Sequence, residues 1–209
     1  MQSSLPKQFM ILGGEPVVAR TINTFYKALP GAEIVVVLPE EHIPLWHNLS
    51  ARFDVAPHRT VCGGKERFDS VKNGIKALSE EVEYIAIHDG VRALVSKRLI
   101  IGTMLEAERC DAIIPVVDAV DSYRMVEGED SKVISRSLLR IVQTPQVFRS
   151  DILRRAYEQD YDTRFTDDAT VVESLGVMIS LFKGERSNIK LTTPEDMIYA
   201  EAMLQQSER

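Results

Sequence analysis

Continuous β-branched runs alternate with helix-period segments along most of this chain. Glu33 to Leu38 (Glu-Ile-Val-Val-Val-Leu) ends at Pro39 and predicts a strand buried on both faces of a parallel sheet. Tyr84 to Ile87 and Ala112 to Val117 repeat that signal. Helical patterns fall at Pro16 to Tyr26, His42 to Ser50, Arg67 to Leu78 and Lys97 to Arg109, each bounded by Gly, Pro, Ser or Asp. Strand alternating with helix implies a doubly wound, mostly parallel α/β sheet. Towards the C-terminus, Arg149 to Gln159 and Asp167 to Leu175 predict helices, Met178 to Lys183 a strand, and Pro194 to Gln205 a closing helix. The rhythm breaks between about 118 and 143. There, Asp121 to Val126, a Glu127-Gly128-Glu129-Asp130 turn and Lys132 to Arg136 predict a projecting β-hairpin arm. An arm that buries little of itself is a natural dimerisation element.

In such sheets ligands bind outside the carboxyl ends of the strands, so the residues just after each strand carry the chemical interest. Gly63-Gly64-Lys65-Glu66-Arg67 follows Thr60-Val61-Cys62. The glycine pair either permits close backbone approach to a ligand or marks a plain turn, and Ser70 in the next helix is a hydrogen-bond donor candidate. His88-Asp89-Gly90-Val91-Arg92 follows Tyr84 to Ile87. A carboxylate at the position of Asp89 suits a sugar hydroxyl or a phosphate-held metal; a helix cap or a partner for Arg92 is the plainer role.

Two lysines are placed for phosphate. Asn188-Ile189-Lys190-Leu191-Thr192-Thr193-Pro194-Glu195-Asp196 delivers Lys190 from a short strand into a marked helix start, with Thr193 as N-cap, Pro194 in the first turn and Asp196 at the positive end of the helix dipole. Lys7 follows Pro6 in a polar loop near the N-terminus. Each is also an ordinary surface lysine when taken alone.

The chain has 209 residues, 44% hydrophobic and 27% charged, which suits one main domain over residues 1–209. Its net charge of −6 and the absence of a Lys/Arg stripe argue against a nucleic-acid surface. No apolar run is long enough to span a membrane and no secretory h-region opens the chain, so the expected location is cytoplasmic. Cys62 and Cys110 lie far apart without Cys/His clustering, which predicts reduced, buried thiols and no zinc site.

Together and in order, these segments resemble the 2-C-methyl-D-erythritol 4-phosphate cytidylyltransferases of non-mevalonate isoprenoid synthesis. The likeness spans essentially the whole chain: Pro6-Lys7-Gln8-Phe9, Gly63-Gly64 with Arg67 and Asp69-Ser70-Val71, His88 to Arg92, Asp121-Ser122, Arg136, Gln143-Thr144-Pro145-Gln146, Thr166-Asp167-Asp168-Ala169, and Asn188 to Lys190 with Thr193 to Asp196. The resemblance implies a nucleotidyltransferase-type Rossmann-like fold and cytidylyl transfer from CTP to methylerythritol phosphate, releasing pyrophosphate. It implies Lys7 as the transition-state lysine and Lys190 as the lysine steering the polyol phosphate. Gly63, Gly64, Lys65 and Ser70 fall on nucleotide-holding positions, and Asp89 and Gly90 on ribose or substrate hydroxyl contacts. Arg92, Thr144 and Thr166 fall on the substrate side, where Thr166 is also placed to cap the helix beginning at Asp167. Ser122 and Arg136 lie on the arm, which in that family reaches across a homodimer into the neighbour's site. Mg²⁺ is expected to ride mainly on the CTP phosphates, with no dedicated metal residue.

The sequence departs from the family at two places. The family's first strand and Gly-rich phosphate loop have no counterpart before Pro6, and Met1 aligns with the loop's methionine. The chain therefore begins roughly twenty residues late, a gap that a strand of about 5–6 residues and its phosphate turn would largely fill. Open sheet edges and no phosphate nest are expected there, which leaves the activity of this chain as an open expectation. Gly90-Val91-Arg92-Ala93 also replaces the more usual Ala-Ala-Arg-Pro. Ribitol-5-phosphate cytidylyltransferase, or a non-catalytic nucleotide-binding or dimeric protein, are the competing readings. A dinucleotide-binding oxidoreductase is disfavoured because Gly-x-Gly-x-x-Gly is absent.

Overall fold

A computed structural model describes residues 5–207. Met1, and with it the alignment of the loop's methionine, lies outside them. The strands and helices run β1 (Ile11–Leu12), β2 (Glu15–Pro16), α1 (Val17–Ala28), β3 (Val35–Leu38), α2 (Ile43–Ser50), β4 (Arg59–Cys62), α3 (Arg67–Ala77), β5 (Tyr84–Ile87), α4 (Lys97–Ala107) and β6 (Ala112–Asp118). They continue with β7 (Tyr123–Glu127), β8 (Asp130–Ile134), β9 (Arg140–Val142), β10 (Gln146–Arg149), α5 (Ser150–Ala156), α6 (Asp168–Glu173), β11 (Ser180–Lys183) and α7 (Pro194–Ser207). Lys7–Phe9 forms a single 3-10 turn where the sequence predicts a loop.

The larger sheet has the order β11-β6-β10-β5, with β9 also pairing to β6. β11 is parallel to β6, whereas β10 inserts antiparallel between β6 and β5. The sheet is thus mixed, and β10 carries the chain back across it from the arm. β3 and β4 form a separate parallel pair. Between β3 and β5 lies a cavity of about 740 Å³, covered by Val18, Ile22 and Phe25 of α1 and by Val71, Gly74 and Ile75 of α3. Among the described residues, neither strand pairs across it, so the open edge expected from the sequence is an internal cleft. This explains why β3 is not buried on both faces: only Val36 and Leu38 are buried, and Val35 and Val37 are partly exposed.

Two apolar clusters flank the cleft. Phe68, Ile85, Phe148, Leu153 and Tyr157 pack beneath the larger sheet. Phe9, Val18, Ile22, Leu38 and Trp46 form the other, in which Phe9 is fully buried and stacks on Trp46 at 6.1 Å between ring centroids. Phe9 therefore anchors the turn that carries Lys7. Among the described residues, β7 and β8 pair only with each other, and they expose Val126 and Val133, at 70% and 73%. That is the projecting hairpin the sequence predicts.

Three further expectations need correction. Lys190 is not on a strand: the backbone there makes one cross-link, from Leu191 N–H to the Val91 carbonyl, and no ladder. Cys62 is exposed at the end of β4, and Cys110, after α4, is only partly buried at the margin of the Ala107, Ile113 and Val147 cluster. The helix after Thr166 begins at Asp168 and is capped by Asp167, whose carboxylate accepts the Thr170 N–H at 2.9 Å while the Thr170 hydroxyl receives the Asp167 N–H. A carboxylate is the stronger acceptor at a helix N-terminus.

Phe9→Ala removes a fully buried ring and is expected to cost about 3–5 kcal/mol of stability. Urea unfolding midpoints of the two proteins check this.

Candidate active site at the ends of the central strands

Asp89 lies two residues beyond β5, and three segments converge on it. Arg92 Nε and Lys190 Nζ both approach Asp89 Oδ2, each at 3.2 Å. Arg92 also donates through Nη1 to the Asn188 carbonyl at 2.7 Å, fixing the segment that bears Lys190. Burial pulls the Asp89 carboxyl upward, but the Lys190 and Arg92 charges outweigh it and hold the group below the usual carboxylate range. Two cations sharing one carboxylate leave an excess positive charge, in a chain that is negative overall. Lys190 remains half exposed, so this charge meets the cavity mouth, which Gln8, Arg67, Ser70, Asp89, Gly90 and Lys190 all line.

A buried polar layer holds this cluster from behind. The Arg92 carbonyl can only accept, so His88 Nε2, at 3.4 Å, carries the proton. His88 Nδ1 then accepts from the Thr144 hydroxyl at 2.9 Å, and Thr144 Oγ1 in turn accepts the Asp89 N–H at 3.1 Å. Burial pushes the His88 ring down to about 4, so it stays neutral in this chain of bonds. Asn188 donates to the Thr144 carbonyl at 2.8 Å, and Gln143 donates to the Glu185 carbonyl at 2.8 Å. The Thr144-Pro145 peptide is cis.

The Gly63-Gly64 loop sits on the other side of the cleft. Neither glycine has positive φ, which excludes the left-handed turn. Its constraint is packing: a Cβ on Gly64 would come 2.2 Å from Asp69 Cβ. Ser70 Oγ accepts the Gly64 N–H at 3.0 Å and donates to the Glu66 carbonyl at 3.1 Å. Ser70 therefore shapes the loop with its hydroxyl already engaged. A Cβ on Gly90 would meet only Val18, at 3.6 Å, so internal packing makes no such demand there.

A family profile described as IspD, 2-C-methyl-D-erythritol 4-phosphate cytidylyltransferase, matches residues 1–206. The chain belongs to this cytidylyltransferase family. The Bacteroides fragilis protein of that name is 46% identical over 206 residues, spanning 98% of this chain and 93% of the relative. The Phocaeicola vulgatus protein is 42% identical over 98% and 93%. The fold matches the crystal structure of 4-diphosphocytidyl-2C-methyl-D-erythritol synthase from Anaerococcus prevotii with a TM-score of 0.84 at 29% identity, covering 97% of this chain and 92% of that one. The cytidylyltransferase structure from Thermus thermophilus gives 0.80 at 30% identity, over 96% and 94%.

Of the site residues expected for a member of the cytidylyltransferase family, the structure gathers Asp89, Gly90, Arg92, Thr144 and Lys190 at one end of the cleft. Gly63, Gly64 and Ser70 stand on its α3 side, with Lys65 exposed beside them. Lys7 is exposed on the turn next to Gln8, which lines the cavity. Thr166 is exposed just before α6. Ser122 and Arg136 stand apart on the arm, where Arg136 donates to the Val120 carbonyl at 2.7 Å. His88, Gln143 and Asn188 are working parts of the site to which the sequence assigns no role. Their signal was position alone, directly beside expected site residues.

The His88 environment has a pH consequence. Unfolded, the ring binds a proton near pH 6.5; folded, it refuses one until about 4. Stability therefore rises with pH across that window and is lost as pH falls through it, by on the order of 2 kcal/mol once residual ring exposure is allowed for. His88→Asn should flatten this component. Urea unfolding at pH 7.5 and 4.5 reads the difference, and equal pH slopes in the two proteins would contradict it.

Proposed function

We propose that this chain transfers a cytidylyl group from CTP to the phosphate of 2-C-methyl-D-erythritol 4-phosphate. The observation that carries the reading is the doubly engaged Asp89: a carboxylate suited to hydroxyl groups, flanked by Lys190 and Arg92 with positive charge to spare, beside a cavity large enough for a nucleotide. The family likeness supplies the substrate class.

In this reading a phosphate oxygen of the polyol attacks the α-phosphorus of CTP in line. The new P–O bond forms as the bond to the bridging oxygen breaks, and pyrophosphate leaves with that electron pair. Catalysis is then mainly positioning and charge stabilisation. Lys7 meets the charge growing on the α-phosphate and Lys190 holds the attacking phosphate. Gly63, Gly64 and Lys65 face the nucleotide, with Ser70 bracing their loop. Asp89 and Gly90 take hydroxyl groups, and Arg92, Thr144 and Thr166 complete the polyol side.

Among the described residues, no group of three or more His, Cys, Asp or Glu side chains is placed to hold a metal. Asp89, already bonded to two cations, fits at most a single contact to an ion carried by the triphosphate. Mg²⁺ on the phosphates would supply charge neutralisation.

We read residues 1–209 as one nucleotidyltransferase unit whose arm, with Val126, Val133 and Leu138 exposed, meets a second copy and brings Ser122 and Arg136 to its site. Among the described residues, no helix is long and apolar enough to cross a membrane. The cytoplasm is the compartment where we place the enzyme, on the strength of its nucleotide and sugar-phosphate substrates.

Pyrophosphate release with CTP, Mg²⁺ and either methylerythritol phosphate or ribitol 5-phosphate tests the reading. Turnover is expected with the first polyol, falling about a hundredfold or more in Lys190→Ala. Preference for ribitol 5-phosphate, or no loss in the variant, would overturn it.

A further inference from the structure

Outside the Asp89 cluster, a bidentate ion pair joins two segments 101 residues apart. Arg67, the first residue of α3, donates to both oxygens of Asp168, the first residue of α6, at 3.0 Å (Nη1 to Oδ1) and 2.5 Å (Nη2 to Oδ2). Asp168 is fully buried and also accepts the Tyr157 hydroxyl at 2.5 Å. Tyr157 in turn stacks on Phe68, the neighbour of Arg67, at 4.7 Å. Burial and the Asp168 charge drive the Tyr157 hydroxyl well above its ordinary range, so it remains a donor.

Each end of this pair is tied by hydrogen bonds to a neighbouring loop, and Arg67 and Ser70 on the α3 side line the cleft. On the α3 side, Ser70 and Asp69 tie Gly64 and Glu66 to the turn that Arg67 begins. On the α6 side, Gln146 of β10 accepts the Ala169 N–H at 3.0 Å and donates to Asp167 at 2.9 Å, immediately after Thr166. A bidentate guanidinium–carboxylate contact fixes angle as well as distance, and with one partner buried its loss cannot be made good by water.

We propose that Arg67 and Asp168 are positioning residues that make the Gly63-Gly64 loop and the Thr166-Asp167 loop order together, so that a nucleotide held by the first prepares the second for the polyol phosphate. This rests on the proposed function only for what the two loops bind. The coupling itself is a property of the ligand-free chain.

Hydrogen–deuterium exchange, resolved to peptides, tests both parts. Without ligand, Asp168→Asn should raise exchange about tenfold across 63–70 as well as around 167–171, and Arg67→Met should likewise raise it across 167–171 as well as across 63–70. The Arg67→Met/Asp168→Asn double variant, which leaves no buried charge unpaired, should be no looser than the worse single variant. Tyr157→Phe keeps the ion pair and should leave 63–70 unchanged, and exchange in α4 reports any general loss of fold. With CTP added, the parent chain should gain protection in both segments, whereas Arg67→Met gains it only across 63–70. Variants that each loosen only their own segment would overturn the coupling. Absence of CTP protection anywhere in the parent chain would overturn the nucleotide reading instead, with the ligand-free arms still deciding the coupling.

Discussion

A single carboxylate oxygen shared by two cations is the constraint on which the site depends. Asp89 leaves the end of β5 on a short loop, and its Oδ2 is the point where the loop's own Arg92 and the distant Lys190 meet. Without that anchor, Arg92 would keep a nearly buried guanidinium lacking its carboxylate, and the 188–190 segment would lose the partner that orders its lysine. Because Lys190 is half exposed, the contact is worth little as a surface ion pair. Its value is geometric: it presents an ammonium group at the mouth of the cleft without adding a flexible side chain's ordering cost on binding.

Behind this anchor lies a layer of neutral hydrogen bonds, and a second ion pair joins the half-exposed Arg67 to the buried Asp168. His88, Thr144 and the Asp89 N–H form one directed chain, and the Arg67–Asp168–Tyr157 group forms a second. The two meet through β10 and its lead-in, since Thr144 precedes the strand and Gln146 begins it. The antiparallel insertion of β10 between β5 and β6 is therefore the feature that carries fold into site. It places Thr144 beside Asp89 and Gln146 beside the start of α6.

Much of this was legible in the sequence. The alternation of β-branched runs and helical patterns located β3, β5, β6 and the main helices, and the rule that ligands gather beyond strand ends singled out Asp89 and the Gly63-Gly64 pair. What escaped has physical reasons. β10 is four residues long with its neighbours drawn from elsewhere in the chain, so its local pattern cannot reveal pairing. The segment at Lys190 has strand-like composition but finds no ladder partner. Asp167 and Thr166 are adjacent plausible caps, separated only by which side chain reaches the Thr170 N–H. His88 and Asp168 depend on partners 56 and 101 residues away, contacts that no spacing rule encodes.

The central claim is that Asp89 and Lys190 act as one unit in binding and turnover. A double-mutant cycle on kcat/KM for the polyol phosphate, using Asp89→Asn, Lys190→Ala and the pair together, measures that directly. The account predicts strong non-additivity, with the double variant little worse than Lys190→Ala alone and a coupling of about 1 kcal/mol or more. Effects that simply add would contradict it, because the two groups would then be contributing independently.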